Sequence, residues 1–156
     1  MQTKQIFKRY SLELVEEENE TYNGINLKDI QVKSSDMVYL INNVFNLSKK
    51  PEECLILLCL NTKNKINAIF EVCHGGTNAV NIPVTDVLKR ALLVNSNKII
   101  VCHNHPSGDC TPSSPDRDFT KHLSDACEIL GITLLDHLII GENCFYSMLL
   151  KGGARL

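Results

Sequence analysis

Residues 53–61 carry an apolar run of strand length, with Cys-Leu-Ile-Leu-Leu-Cys-Leu at positions 54–60. A membrane-spanning helix needs about 20 apolar residues. This run and every other apolar stretch fall far short of that. Asn61-Thr62-Lys63-Asn64 follows as a turn, and residues 65–73 supply a second strand, so 53–73 reads as a β-hairpin. Cys54 and Cys59 lie inside the run and behave as small core hydrophobes.

The rest of the chain alternates helices and strands. Ser34 or Ser35 caps a helix in which Met37, Leu40, Ile41 and Val44 recur at helical spacing. Pro83 opens a second helix with Val84, Val87, Leu88, Ala91 and Leu92 as its apolar stripe. Residues 98–102 form a buried strand and 103–114 a polar loop. Ser114-Pro115-Asp116 then marks a helix start, with Ser at the N-cap, Pro at the first helical position and an acid in the first turn. Phe119, Leu123, Ala126, Cys127 and Leu130 give this helix an apolar face, and Gly131 ends it. Residues 132–140 and 143–150 are strands around Gly141-Glu142-Asn143. The order α-β-β-α-β-α-β-β predicts an α/β (α+β) domain, a mixed sheet flanked by helices, over 34–156. Residues 1–33 form an N-terminal extension with an acidic cluster at Glu16–Glu20 and a strand-like stretch at Ile6–Leu14.

Composition narrows the function classes. The chain has 156 residues, 44% of them hydrophobic, enough for one core without disulfide or metal staples. That length excludes a two-domain enzyme and a full-size TIM barrel. Sixteen Lys+Arg against 18 Asp+Glu leave a net charge of −2, which does not support DNA as a partner. The start, Met1–Tyr10, lacks the apolar stretch of a signal peptide, so a cytoplasmic protein is expected. The seven cysteines, Cys54, Cys59, Cys73, Cys102, Cys110, Cys127 and Cys144, show no Cys-x-x-Cys spacing. Reduced thiols are therefore the expectation.

The chemistry concentrates in His103-Asn104-His105-Pro106-Ser107-Gly108-Asp109-Cys110-Thr111-Pro112-Ser113-Ser114-Pro115-Asp116, between a strand and a helix N-terminus. Residues i and i+2 of an extended segment point to the same side, so both imidazoles can aim at one point. Asp116, on the first turn of the next helix, can add a carboxylate. Two His and one carboxylate leave a fourth zinc position open for water, the mark of a catalytic rather than a structural site. His-Glu-x-x-His is absent, and so is the His-x-His-x-Asp-His run of metallo-β-lactamase-type hydrolases.

The spacing His-x-His-x(7)-Ser-x(2)-Asp, met by His103, His105, Ser113 and Asp116, resembles the JAMM signature of the MPN/JAB metalloproteases. The longer match is closer still. His103–Gly108, Pro112-Ser113, Asp116, Thr120, Leu134–Gly141, Asn81-Ile82-Pro83, Ala91-Leu92 and Gly76-Thr77 resemble the RadC family in the same order. The resemblance covers about 34–156. It implies the MPN/JAB (cytidine-deaminase-like) architecture, in a short form without the helix-hairpin-helix region that RadC-like proteins often carry.

The resemblance also implies roles. His103, His105 and Asp116 would bind Zn2+, and Ser113 would donate to the oxyanion or to zinc-bound water. Glu71, in the segment that aligns before Gly76-Thr77, would be the general base. Glu52 and Glu53 precede the first strand and rank below it. Asp136-His137 either supports a ligand or is a buried structural pair. The implied reaction is cleavage of an amide or isopeptide bond in a protein or peptide substrate by attack of zinc-bound water. A non-enzymatic DNA-repair accessory or partner-binding domain is the alternative that the RadC name suggests. Two departures stand out: Pro83-Val84-Thr85-Asp86 where the family often has Pro-Arg-Glu, and Ser96 where it usually has Ala.

Overall fold

The structure, a computed structural model, describes residues 34–74 and 83–155. The strand expected at Ile6–Leu14 and the motif residues Gly76-Thr77 and Asn81-Ile82 lie outside the described residues. In chain order the elements are α1 (Ser34–Phe45), a 3₁₀ turn (Leu47–Lys49), β1 (Cys54–Leu60), β2 (Ile66–His74), α2 (Val84–Leu93), β3 (Lys98–Asn104), α3 (Ser114–Ile129), β4 (Thr133–Ile140), β5 (Cys144–Ser147) and β6 (Gly152–Arg155). No helix among them is long and apolar enough to cross a membrane.

The strands form one sheet in the order β2-β1-β3-β4-β5-β6. Only β3 and β4 pair in parallel, joined through α3; the other neighbours are antiparallel. β1 lies between β2 and β3, and all seven of its residues are buried. Alternation divides them between two cores. Ile56, Leu58 and Leu60 join Ile100, Cys102, Leu138 and Ile140 under α1, which contributes Met37, Val38, Leu40 and Ile41. Leu55, Leu57 and Cys59 join Ile99, Val101 and Leu134 under α2 and α3, which contribute Val87, Leu88, Ala91, Leu123 and Cys127. The unbroken apolar run thus becomes a strand covered on both faces. Truncating Leu57, fully buried, to Ala would cost about 2–5 kcal/mol.

Three boundaries differ from expectation. β3 continues through His103 and Asn104, because the parallel ladder extends to His103↔Ile139 and Asn104↔Ile140. α3 is capped by Ser113, one residue earlier than expected. The last expected strand stops at Ser147, and the chain turns before β6. There the carboxylate of Asp136 on β4 accepts from Ser147 Oγ at 2.6 Å and from the Leu149 amide at 3.2 Å, bending the chain away from the ladder. The helix stripes also end earlier than expected, since Leu92 and Leu130 are exposed.

The expectation of reduced cysteines is corrected at one place: Cys110, in the loop before α3, is joined to Cys144 at the start of β5. Cys54, Cys59, Cys102 and Cys127 are free and buried, as core filler should be. Burial pushes the thiols of Cys59 and Cys127 up to about 11, so they stay neutral.

Candidate metal centre

The ladder to β4 carries His103 to the end of β3, and the His105 amide extends it by donating to Ile140 O at 2.9 Å. Asn104, between them, faces the other way. Its side chain accepts from the Cys54 amide at 2.8 Å and donates to Glu52 O at 3.0 Å, which anchors the chain entering β1. The two imidazoles therefore converge, with their Nε2 atoms 3.0 Å apart.

Asp116 arrives from α3 through a capping box. Its amide donates to Ser113 Oγ at 3.2 Å, while its Oδ2 accepts from the Ser113 amide at 2.7 Å and hydroxyl at 2.6 Å. The carboxylate then lies 3.2 Å from His103 Nε2 and 3.3 Å from His105 Nε2. One ligand atom from each of His103, His105 and Asp116 falls within 4.8 Å of the others. Among the described residues this is the one such group of three.

The loop between the histidines and α3 is held by close backbone contact. Gly108 has φ 83°, in the left-handed region, and its carbonyl accepts from the Glu142 amide at 3.0 Å. A side chain on Gly141 would collide with that carbonyl and stand 2.7 Å from Cys144 Sγ. Gly108 and Gly141, distant in sequence, are thus two halves of one contact.

The electrostatics fit a cation at this point. Burial would raise the Asp116 carboxyl, but its hydrogen bonds to His103 and His105 outweigh that and hold it well below the usual range. The hydrogen bond to Asp116 raises the His105 imidazole above its ordinary value, against burial. Two imidazoles and a carboxylate gathered around one point are a donor set that could hold a metal ion.

Sequence-assigned residues divide. His103, His105, Asp116 and Ser113 come together; Glu71 does not join them. Glu71 lies opposite Ile56, which lies opposite Cys102, so all three share the face covered by α1. His103 lies opposite Leu55, on the face covered by α2 and α3. A register irregularity between Leu55 and Ile56 places Leu55 opposite Cys73 and leaves Val72 as the extra residue of β2. Glu71 is exposed, and its carboxylate accepts from Lys50 Nζ at 2.6 Å.

Glu53 ranks below Glu71 on sequence because it precedes β1. Yet the antiparallel β1–β3 register ends at Leu55↔His103, and counting two residues on along the same alternation brings Glu53 opposite His105, on the face of the metal ligands. Glu53 is half-buried, and its charge is among those that favour the protonated form of His105. The signal that finds it is strand register, which needs the pairing partner and is invisible in a hairpin read alone.

His137 is the other residue that gains a place. It is fully buried beside His103, with Phe119 edge-on to its ring. Burial, reinforced by the charge of His103, holds it well below its ordinary value, so it is neutral.

Comparison with known proteins agrees with this geometry. The RadC-like JAB domain description matches residues 32–153. The chain is 43% identical over 126 residues to a UPF0758 protein of Clostridium botulinum (strain Alaska E43 / Type E3), covering 80% of this chain and 54% of that protein. It is 43% identical over 104 residues to a UPF0758 protein of Carboxydothermus hydrogenoformans, covering 67% and 46%. It is 46% identical over 96 residues to one of Desulfitobacterium hafniense, covering 62% and 42%. The chain thus spans about half the length of the curated relatives it matches. With the six-stranded mixed sheet, the flanking helices and the His-x-His-x(7)-Ser-x(2)-Asp group all in place, the chain belongs to the RadC-like JAB domain family.

Proposed function

We propose that this domain is a zinc-dependent hydrolase of the JAMM type that cleaves an amide or isopeptide bond in a protein or peptide. The observation that carries the reading is the convergence of His103, His105 and Asp116 within 4.8 Å at a strand-to-helix junction. These three residues would hold the ion. When bound, zinc would polarise a substrate carbonyl and make a water more acidic.

The chain's own residues supply the rest. Glu53, beside His105, replaces Glu71 as the base that takes a proton from the attacking water and returns it to the leaving amine. Ser113 is exposed, and its hydroxyl would turn its single proton from Asp116 Oδ2 to the developing oxyanion. Its amide, 2.7 Å from Asp116 Oδ2, keeps that carboxylate oriented meanwhile.

Metal analysis of the purified protein tests this directly. About one zinc per chain is expected, lost in His103→Ala and in Asp116→Asn, together with hydrolysis of amide- and isopeptide-linked fluorogenic peptides. A well-folded wild-type protein with no measurable zinc affinity would end the proposal.

A further inference from the structure

Asn104 stands between the two histidine ligands and is fully buried, at 0% exposure. The hydrolytic reading gives it no part. A buried carboxamide needs partners for its oxygen and for its two N–H donors. Asn104 finds them in the chain that enters β1. Its Oδ1 accepts from the Cys54 amide at 2.8 Å, and its Nδ2 donates to Glu52 O at 3.0 Å and to Lys50 O at 3.4 Å. These partners fix which end of the carboxamide is which, since a backbone N–H only donates and a carbonyl only accepts.

The bonds fall on a particular pair of peptide groups. Glu52 O belongs to the peptide unit before Glu53, and the Cys54 amide to the unit after it. Peptide units are planar, so a residue's conformation is set by φ and ψ, the rotations of its two flanking planes about Cα. One side chain therefore holds both planes of Glu53, and with them the direction in which its Cβ leaves the backbone. The β1–β3 register itself ends at Leu55↔His103, short of Glu53, and the Asn104 carboxamide carries the pairing past that end. Upstream, Lys50 is extended at ψ 132°, as the residue before a proline prefers, and its carbonyl meets the same Nδ2.

We infer that Asn104 is a positioning residue: its carboxamide locks the backbone on both sides of Glu53 and so aims that carboxylate at the point where His103 and His105 converge. The inference rests on the reading of Glu53 as the base for its purpose, but not for its geometry. It also couples the base to the ligands by the shortest covalent path, because the backbone of Asn104 links His103 directly to His105. Any movement of the His-Asn-His segment carries Glu53 with it. Base and ligands thus keep one frame although they come from two strands.

The test uses the full chain. In the metal-free protein, Asn104→Ala should speed hydrogen exchange of the Cys54 amide by at least about tenfold relative to the Leu57 and Leu58 amides further along β1. In the zinc-loaded protein, kcat on the fluorogenic isopeptide substrate should fall by about 10–100-fold, with KM and zinc content within about threefold of wild type. Adding Asn104→Ala to Glu53→Gln should cost less than about threefold more, because the group it positions is already gone. Losses that multiply in the double variant, or a kcat left unchanged by Asn104→Ala, would overturn the inference, and so would a Cys54 amide whose exchange does not change. In those cases wild-type turnover and its loss in Glu53→Gln leave the hydrolase reading standing. A zinc-bound wild type without turnover defeats that reading and the positioning role together. Should Asn104→Ala not fold, Asn104→Asp keeps the shape and the acceptor but loses both donor bonds, and it should show the same fall in kcat and the same absence of further loss on Glu53→Gln.

Discussion

Glu71 and His103 stand on opposite faces of the same sheet. Glu71 shares a face with Ile56 and Cys102, His103 with Leu55 and Val101. In a strand one residue of offset reverses the side of every side chain, so a plausible carboxylate in sequence becomes one that faces α1. Glu53→Gln should therefore lower turnover by about 10²–10⁴-fold with zinc content unchanged. Glu71→Gln, which weakens an exposed contact with Lys50, should stay within about threefold. Steady-state kinetics with parallel metal analysis separates the two; a severe loss confined to Glu71→Gln would reinstate that residue as the base.

Zinc affinity should depend on pH through His105. Its hydrogen bond to Asp116 raises the imidazole above its ordinary value, so a proton holds the ligand nitrogen at mildly acid pH. The metal needs the neutral ring. Affinity should rise as pH increases through that raised value and then level off, changing by about tenfold per pH unit below it for one displaced proton. Competition with a chromophoric chelator measures this, and an affinity flat from acid to alkaline pH would contradict it.

Asp136 holds the turn between β5 and β6 rather than the metal centre. Its carboxylate accepts from the His137 amide at 2.8 Å, from Ser147 Oγ at 2.6 Å and from the Leu149 amide at 3.2 Å. Asp136→Ala strands buried donors and should cost about 2–4 kcal/mol. Ser147→Ala should cost about 1–2 kcal/mol. Urea unfolding midpoints give both values. A loss below about 1 kcal/mol for Asp136→Ala would show that the turn holds without it.

Cys110 and Cys144 close a loop with a sequence separation of 34. By loop-closure entropy such a link is worth about 3–4 kcal/mol. Reduction should lower thermal stability, Cys110→Ser should match the reduced wild type, and a reductant should then have no further effect on the variant. Peptide mapping without reduction should recover the linked pair. Seven alkylatable thiols in the denatured, unreduced protein would show that the bond is absent.

Much of the fold was legible in local signals. The apolar run at 54–60, the helical spacing of Met37, Leu40, Ile41 and Val44, and the start signals around Ser113–Asp116 each depend on residues a few positions apart. The metal ligands were legible for the same reason: His103 and His105 are two residues apart on extended chain, and Ser113 and Asp116 occupy one capping box. Motifs such as Gly108 and Leu134–Gly141 could be matched as letters, but their reason, a carbonyl seated against a glycine, needed both loops in place.

By itself the sequence determined the element order, a two-sided apolar sheet and a His/His/Asp group, because periodicity and short spacing carry that information. Only the tertiary structure decided which glutamate faces the group, because the answer lies in the pairing of β1 with β2 and β3. Only it set His137 beside His103, tied Asn104 to the chain around Glu53, brought Cys110 to Cys144, and gave Asp136 to a turn. Each of these joins elements distant along the chain. Such contacts are set by register and by the packing of α3 on the sheet, quantities that a residue carries only once its neighbours in space are known.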